Sequence, residues 1–273
     1  MRFPKPRSLL LGVVAGGSMA CHGAVAFDHQ HGQWDVLLSQ HVEWVTPHNT
    51  RVDYQAFLQD EARLDAYLEE LSAVAMEEFA GWAEAEQLAF LINAYNAFTV
   101  KLILTEYPEL DSIKDLGSLF QSPWKIEFFQ LLGENRHLDW IEHEKIRVDY
   151  QEPRIHVAIN CAAIGCPALL DEAYTGGNLE TRLEKNMEIF LSDQSRNRFN
   201  KATDELELSK IFDWFEEDFQ QRWRGWNSVA AMAADYSTFL ADDPAAQQRI
   251  REKAVAIDHL SYDWSLNSLS SFD

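Results

Sequence analysis

The chain has 273 residues, of which 47% are hydrophobic and 25% charged, a composition typical of a globular protein. It excludes disordered, collagen-like and low-complexity chains. The formal net charge is −21, because 23 Lys and Arg residues face 44 Asp and Glu residues. A surface this acidic repels phosphate backbones and anionic lipids, so we expect no nucleic-acid partner and no anionic membrane surface.

The first 26 residues have the pattern of a secretory signal peptide. Three basic residues are followed by a short apolar run, Leu9–Gly17, and Ala24–Ala26 supplies the small residues of a cleavage site. We predict cleavage after Ala26 and a periplasmic or secreted protein. Lipid anchoring at Cys21 is the alternative, although Ser18 stands where a lipoprotein signal needs an aliphatic residue.

Cleavage would remove three basic residues and no acidic ones, leaving 20 against 44 and a charge of −24. It would also leave Cys161 and Cys166 as the cysteines of the mature chain, too few for a disulfide scaffold. No later segment has 18 uninterrupted apolar residues, so we expect no transmembrane helix in the mature chain.

Residues 27–273 show no internal repeat and no Pro- or Gly-rich linker, so we predict a single domain. In chain order, the patterns predict a helix from Asp53 to Leu71, a buried helix over 84–106, a strand over 125–132 with a return over 136–140, a short helix over 141–148, a buried strand over 154–160, a helix over 178–192, a hairpin over 199–209, a helix over 209–219, and two further helices. Because helices dominate and regular β-α alternation is absent, the fold class is α+β: a predominantly helical domain with a buried central helix and a small, mostly antiparallel sheet.

Cys161 is the strongest candidate for chemistry. It follows the predicted strand and precedes small residues, where a helix N-terminus would favour the thiolate. A nucleophilic thiolate needs a base, and His156 and His143 are the candidates. Five positions along a strand place His156 and Cys161 on opposite faces, so they would meet only if the chain bends. The alternative is that Cys161 is a small buried hydrophobic residue.

Cys161 and Cys166 together allow a disulfide or a dithiol redox pair in an oxidising compartment. Their spacing differs from the two-residue gap of thioredoxin-type motifs, and Pro167 follows the second cysteine.

Amides and acids form the remaining candidates. Asn93 and Asn96 lie in the predicted buried helix, where we favour a structural tie to a neighbouring loop; the alternative is that one of them orients a histidine or contributes an oxyanion donor. Asp213, Asp218 and Asp263 lie among aromatics and are candidates for buried carboxylates or for turn caps. Glu142 and Glu144 flank His143, but no segment has metal-ligand spacing or a nucleotide-binding glycine pattern, so we predict no metal and no cofactor.

Several segments resemble, in order, the family called domain of unknown function 547. They are FLINAYNAFTVKLIL, SIKDL, IEHEKIR, HVAINCAAIGCPAL, IFDWFEEDF and YDWSLN, and they extend the resemblance from Val52 to Asn267. The resemblance implies one site or one structural cluster made by Asn93, Tyr95, Asn96, His143, His156, Cys161, Asp213, Asp263 and Asn267. It implies no particular reaction. Plant relatives carry the domain behind coiled-coil segments and often lack the equivalent of Cys166.

The leading hypothesis is an exported cysteine-dependent hydrolase or acyl transferase acting on an amide or thioester. Cys161 would be the nucleophile, His143 or His156 the base, and Asn93 or Asp263 the orienting group. The alternatives are a non-catalytic binding or interaction module, and a thiol redox protein using Cys161 and Cys166. The ligand would be a small molecule or a peptide, and the sequence leaves the oligomeric state open.

Overall fold

A computed structural model describes residues 26–118 and 121–271 and shows a predominantly helical α+β fold. The α-helices of these residues span Gly32–His41, Tyr54–Gln59, Glu61–Ala73, Met76–Ala80, Glu84–Leu104, Arg147–Asp149, Leu179–Ser192, Ile211–Trp214, Val229–Asp235, Ser237–Leu240 and Pro244–Arg251. A π-helix covers Trp140–Ile146, and short 3-10 helices span Ile113–Leu116, Pro123–Lys125, Pro153–Val157, Glu216–Gln220, Trp223–Gly225 and Leu269–Ser271. The predicted signal peptide, apart from Ala26, lies outside the described residues, as does Cys21.

The strands in the described part of the chain form three small sheets. Strands β1 (Val42–Thr46) and β2 (Asn49–Val52) form one antiparallel pair, and β3 (Phe129–Leu131) and β4 (Glu134–Arg136) form another. In the third sheet, the hairpin of β5 (Arg198–Asn200) and β6 (Glu205–Ser209) is extended by β7 (Ala256–Leu260), which runs parallel to β6. The pairing is therefore mostly antiparallel, and the hairpin predicted over 199–209 is confirmed.

The helix Glu84–Leu104 is the predicted central helix. Its side chains are buried on nearly every face because the sequence is apolar nearly all round. Near its end, Lys101 pairs with Glu61 at 2.7 Å and with Asp65 at 2.6 Å. Among the described residues this helix is long and apolar enough to cross a membrane, but 89% of its most apolar stretch is buried inside the protein. Its burial is that of a core helix.

Two clusters of buried side chains make up the interior. The first surrounds the central helix, and the second joins the helix Leu179–Ser192 to the segments after residue 205. The segment Pro153–Val157 lies between them, since Ile155 packs in the first cluster and Val157 in the second.

The predicted strand over 154–160 is wrong, because its first residues form a 3-10 helix. Pro153 begins that helix, and the Glu152 carboxylate accepts a hydrogen bond from the Arg154 backbone N–H at 3.1 Å. The apolar residues of the segment imitate a strand pattern because it is covered by a hydrophobic cluster on either side.

The C-terminal segment crosses back to hold the cysteine loop. The Ile164 backbone N–H donates to Ser265 O and the Gly165 N–H donates to Asp263 O, both at 2.8 Å. A side chain at Gly165 would meet the ring of Tyr262 at 2.9 Å, so glycine permits this close approach. The return of the chain thereby places Tyr262 against the loop between Cys161 and Cys166.

His31, near the start of the described chain, predicts a pH dependence of stability. It is buried, and its Nδ1 lies 2.7 Å from the hydroxyl of Tyr67. Burial lowers the pKa of His31 to about 4, outweighing the opposite effect of Asp28. Unfolded histidine binds its proton near pH 6.5, so the unfolded state binds more protons as the pH falls, and stability is lost between about pH 6.5 and 4.

When the pH falls from 7 to 4.5, we therefore expect the free energy of unfolding of the wild type to decrease by about 2 kcal/mol more than that of His31→Gln. Urea unfolding at the two pH values measures the difference. Gln30→Ala is the control, because Gln30 is exposed and its side chain does not titrate, so this variant should keep the wild-type pH dependence. Equal losses in His31→Gln and the wild type would contradict the assignment.

Candidate functional site

A cavity of about 210 Å³ lies where the helical segment 140–149, the Pro153–Val157 helix and the cysteine loop meet the aromatic segments near the C-terminus. Polar and sulfur-containing groups share its wall with aromatic rings. The lining residues are Tyr95, Trp124, Asp139, Glu142, His143, His156, Ile159, Cys161, Cys166, Pro167, Ile211, Trp214, Phe215, Tyr262 and Trp264.

His156 and Asp218 form a buried pair at this cavity. The imidazole Nε2 lies 2.6 Å from Asp218 Oδ2, and the ring stacks on Phe215 with centroids 3.8 Å apart. Burial lowers the pKa of His156 to about 4, so the ring is neutral at pH 7. Because the ionised carboxylate only accepts, Nε2 carries the proton and Nδ1 keeps a lone pair. Nδ1 is buried and has no hydrogen-bond partner among the described residues.

Arg147 connects Asp218 to the second histidine. Its Nε and Nη2 donate to the two oxygens of Asp218 at 2.6 and 3.0 Å, and its Nη1 lies 3.1 Å from His143 Nδ1. Burial acts to raise the pKa of Asp218, but the hydrogen bonds from His156 and Arg147 outweigh it and lower the pKa to about 2. Since Arg147 can only donate, His143 Nδ1 accepts and its Nε2 carries the proton in the neutral ring.

Glu142 places a carboxyl group in the same cavity. It is buried, and its Oε1 lies 3.9 Å from His156 Nδ1, too far for a direct hydrogen bond. Burial, helped by the neighbouring charge of Asp139, raises the pKa of Glu142 to about 8, although Arg147 and a hydrogen bond with Tyr95 act against it. The group therefore titrates near neutral pH.

Cys161 and Cys166 form a disulfide in the cavity wall, with Cα atoms 6.4 Å apart. Cys161 is half-buried and Cys166 is buried. Cys166 Sγ lies near three donors: the backbone N–H groups of Cys161 and Ala163, at 3.1 and 3.4 Å, and the hydroxyl of Tyr262, at 3.1 Å. The Tyr262 hydroxyl lies 3.1 Å from Cys161 Sγ as well, so the two sulfurs differ in the two backbone donors at Cys166 and in the greater exposure of Cys161.

An aromatic wall faces the disulfide. Tyr262 and Trp264 have ring centroids 4.5 Å apart, and Trp264 stacks on Trp214 at 5.7 Å. Trp124 meets Trp264 edge-on at 5.7 Å. Trp214 remains 44% exposed, so the wall extends to the protein surface.

The structure brings Cys161, His143 and His156 to one cavity and places Asn93 and Asp263 elsewhere. Asn93 exchanges hydrogen bonds with the backbone N–H and C=O of Tyr174, which confirms the structural interpretation of this amide. Asp263 is exposed and caps a turn by accepting from the Ser265 N–H at 2.9 Å. No helix begins at Cys161, since the next helix of the described chain starts at Leu179.

The other residues implied by the resemblance lie in three different places. Tyr95 lines the cavity, whereas Asn96 and Asn267 form a separate amide cluster through Asn160. Asp213 is exposed and pairs with Lys210, so the first of its two alternatives, a buried carboxylate, is wrong for this residue.

Sequence reasoning did not assign Asp218, Arg147 or Tyr262 to the site. Asp218 was one of several acids among aromatics, and burial distinguishes it from the others. Arg147 stands four residues after His143 on a helical segment, a spacing that puts both side chains on one face and could have identified it. Tyr262 shows no such signal, because its contact with the cysteines spans about a hundred residues.

The described residues contain no candidate metal site, since no group of three or more His, Cys, Asp or Glu side chains among them is arranged to hold an ion.

Comparisons with curated proteins and with solved structures gave no match. A family model described as protein of unknown function, DUF547, matches residues 79–191. This span includes the central helix, the candidate bases His143 and His156, and the cysteines Cys161 and Cys166. The match confirms, over residues 79–191, the resemblance to the DUF547 family that the motifs of the chain predict.

Proposed function

We propose that the protein carries out thiol–disulfide exchange at the Cys161–Cys166 pair. The observation that carries the proposal is the asymmetric disulfide in the cavity wall, in which Cys161 is the more exposed residue and Cys166 Sγ faces two backbone N–H donors, while the Tyr262 hydroxyl lies beside both sulfurs. Exchange requires an exposed sulfur to attack and a leaving thiolate of low pKa. Cys161 fits the first requirement, and the donors beside Cys166 Sγ would stabilise the leaving thiolate.

The reaction proceeds in two balanced steps. A substrate thiolate attacks Cys161 Sγ, a mixed disulfide forms, and the Cys161–Cys166 bond breaks to release the thiolate of Cys166. The N–H groups of Cys161 and Ala163 and the hydroxyl of Tyr262 stabilise that charge until a proton reaches it. A second substrate thiol then attacks the mixed disulfide, so two thiols become one disulfide and the protein holds a dithiol.

Export of the chain is part of this proposal. Residues 1–26 have the pattern of a signal peptide, and the disulfide supports an oxidising compartment because such bonds persist outside the cytosol. The acidic composition favours small or cationic substrates over polyanions.

Single-cysteine variants test the exchange chemistry. We expect reduced Cys166→Ser, which keeps Cys161, to form a mixed disulfide with hydroxyethyl disulfide about tenfold faster than reduced Cys161→Ser, which keeps the buried Cys166. Mass spectrometry of samples quenched in acid measures both rates. Equal rates, or two free thiols in the wild type purified from an oxidising compartment, would overturn the proposal.

A second candidate, a cysteine hydrolase or acyl transferase in the dithiol form, is supported by the His156–Asp218 pair. Asp218 would orient the imidazole, and Nδ1, which has no hydrogen-bond partner among the described residues, would have to approach Cys161 Sγ in the same cavity to take its proton. The test is hydrolysis of a chromogenic thioester by the reduced protein, lost in both Cys161→Ser and His156→Gln. A folded protein with neither exchange nor hydrolysis would instead favour the non-catalytic binding module.

A further inference from the structure

The lone pair of His156 Nδ1 and an oxygen of the Glu142 carboxyl group lie close together inside the cavity. His156 Nδ1 keeps a lone pair because Nε2 donates to Asp218, and Glu142 Oε1 lies 3.9 Å from it. Both side chains are buried, and Nδ1 has no partner among the described residues. An N–H donor placed 2.8–3.0 Å from each atom would satisfy both, since these distances are compatible with a separation of 3.9 Å.

We propose that the cavity binds a primary ammonium group between Glu142 and His156, and that the thiols exchanged at Cys161 are therefore aminothiols. This inference rests on the proposed function. The ammonium group offers three donors and a positive charge, which the carboxyl and the imidazole can share. The thiol of the same small molecule would reach the disulfide across the cavity.

The charges around the cavity favour a cation. Arg147 is already held by the two oxygens of Asp218 and by His143, so its charge is paired. Asp139 adds a second carboxylate to the lining beside Glu142. Burial raises the pKa of Glu142, and an ammonium group beside it would supply the counter-charge that favours ionisation.

The aromatic wall adds a second attraction for a cation. Lys114 Nζ lies 3.7 Å from the ring centroid of Trp264, and the Arg147 guanidinium lies 5.2 Å from that of Phe215. Lys114 and Arg147 occupy these two ring faces, so a bound cation would rest on other rings of the lining, such as Tyr262 or Trp214. A cation over such a ring gains about 0.5–2 kcal/mol, depending on its desolvation.

Three small thiols test the proposal on the oxidised wild-type protein. We expect cysteamine to reduce the Cys161–Cys166 bond about tenfold faster than 2-mercaptoethanol, with 3-mercaptopropionate slower than both, after correction for each thiolate concentration. Propylammonium should slow reduction by 2-mercaptoethanol, whereas propionate should not. These measurements need no variant.

Glu142→Gln should remove the preference, so that cysteamine and 2-mercaptoethanol reduce the bond at equal thiolate-corrected rates within this variant, whatever its absolute rate. Asp213→Asn is the matched control, because it removes one exposed charge next to Trp214 and should retain the full preference. Equal thiolate-corrected rates for the three thiols would overturn the ammonium site and leave the exchange function standing. Failure of every thiol to reduce the bond would overturn both.

Discussion

Replacing Arg154 with methionine is expected to lower the free energy of unfolding by about 3–5 kcal/mol. The side chain is fully buried, and its guanidinium donates to three glutamates. It holds Glu152 through two hydrogen bonds of 2.7 and 2.8 Å, and it also reaches Glu180 at 2.6 Å and Glu184 at 2.8 Å. Methionine would fill much of the volume and leave these carboxylates with too few donors.

Arg224 partly shares this cluster but cannot replace Arg154. It pairs with Glu180 and Glu184 from a position 41% exposed and does not reach Glu152. Both guanidiniums lie over the ring of Trp223. Because Arg154 belongs to the 3-10 helix that carries His156, its loss should also disturb the position of that imidazole.

Urea unfolding at pH 7 measures the effect of Arg154→Met, which should also lower Tm by about 10 °C. Arg249→Met is the control, since Arg249 and its partner Asp204 are 41% and 52% exposed and exposed pairs contribute at most about 1 kcal/mol. Arg154→Lys keeps the charge without the planar fork and should recover part of the loss. A decrease below about 1 kcal/mol in Arg154→Met would contradict this interpretation.

The elements that the sequence predicts well are those with local causes. The central helix is predicted within two residues at its C-terminal end because its apolar pattern, its acidic first turn and the Pro108 stop all lie within the segment. The β5–β6 hairpin is local in the same sense. The strand predicted over 154–160 failed because burial by two clusters, which is a property of the whole fold, produced its pattern.

The site was only partly predictable for a related reason. Motif chemistry identified Cys161, His143 and His156, and all three line the cavity. The partner of His156 is 62 residues away, and nothing near either residue specifies that Asp218 is the acid that reaches it. The spacing of the two cysteines allowed both a dithiol and a disulfide, and the folded loop brings them to bonding distance.

The amide of Asn160 fixes the loop that carries the disulfide. Its Oδ1 accepts from the Ala162 N–H at 2.9 Å and from Asn267 Nδ2 at 3.2 Å, and its Nδ2 donates to Pro167 O at 2.9 Å. Ala162 has a positive φ of 62°, a conformation that costs a residue with a side chain about 1 kcal/mol or more and that these bonds help to maintain.

Asn160→Ala is therefore expected to lower the free energy of unfolding by about 3 kcal/mol, because three hydrogen bonds are lost and their buried partners are left unsatisfied. Asn160→Asp keeps the acceptor for Ala162 but loses the donor to Pro167, so its free energy of unfolding should lie between those of Asn160→Ala and the wild type. Asn227→Ala is the control, because Asn227 is exposed and the free energy of unfolding of this variant should stay within about 0.5 kcal/mol of the wild-type value.

The loss of Asn160 should also reach the disulfide. A loop released at both Ala162 and Pro167 exposes Cys166, so dithiothreitol should reduce the bond several-fold faster in Asn160→Ala than in the wild type under conditions where both are folded. Thiol titration against time measures that rate. An unchanged rate together with the predicted loss of stability would mean that the amide supports the fold without controlling access to the sulfurs.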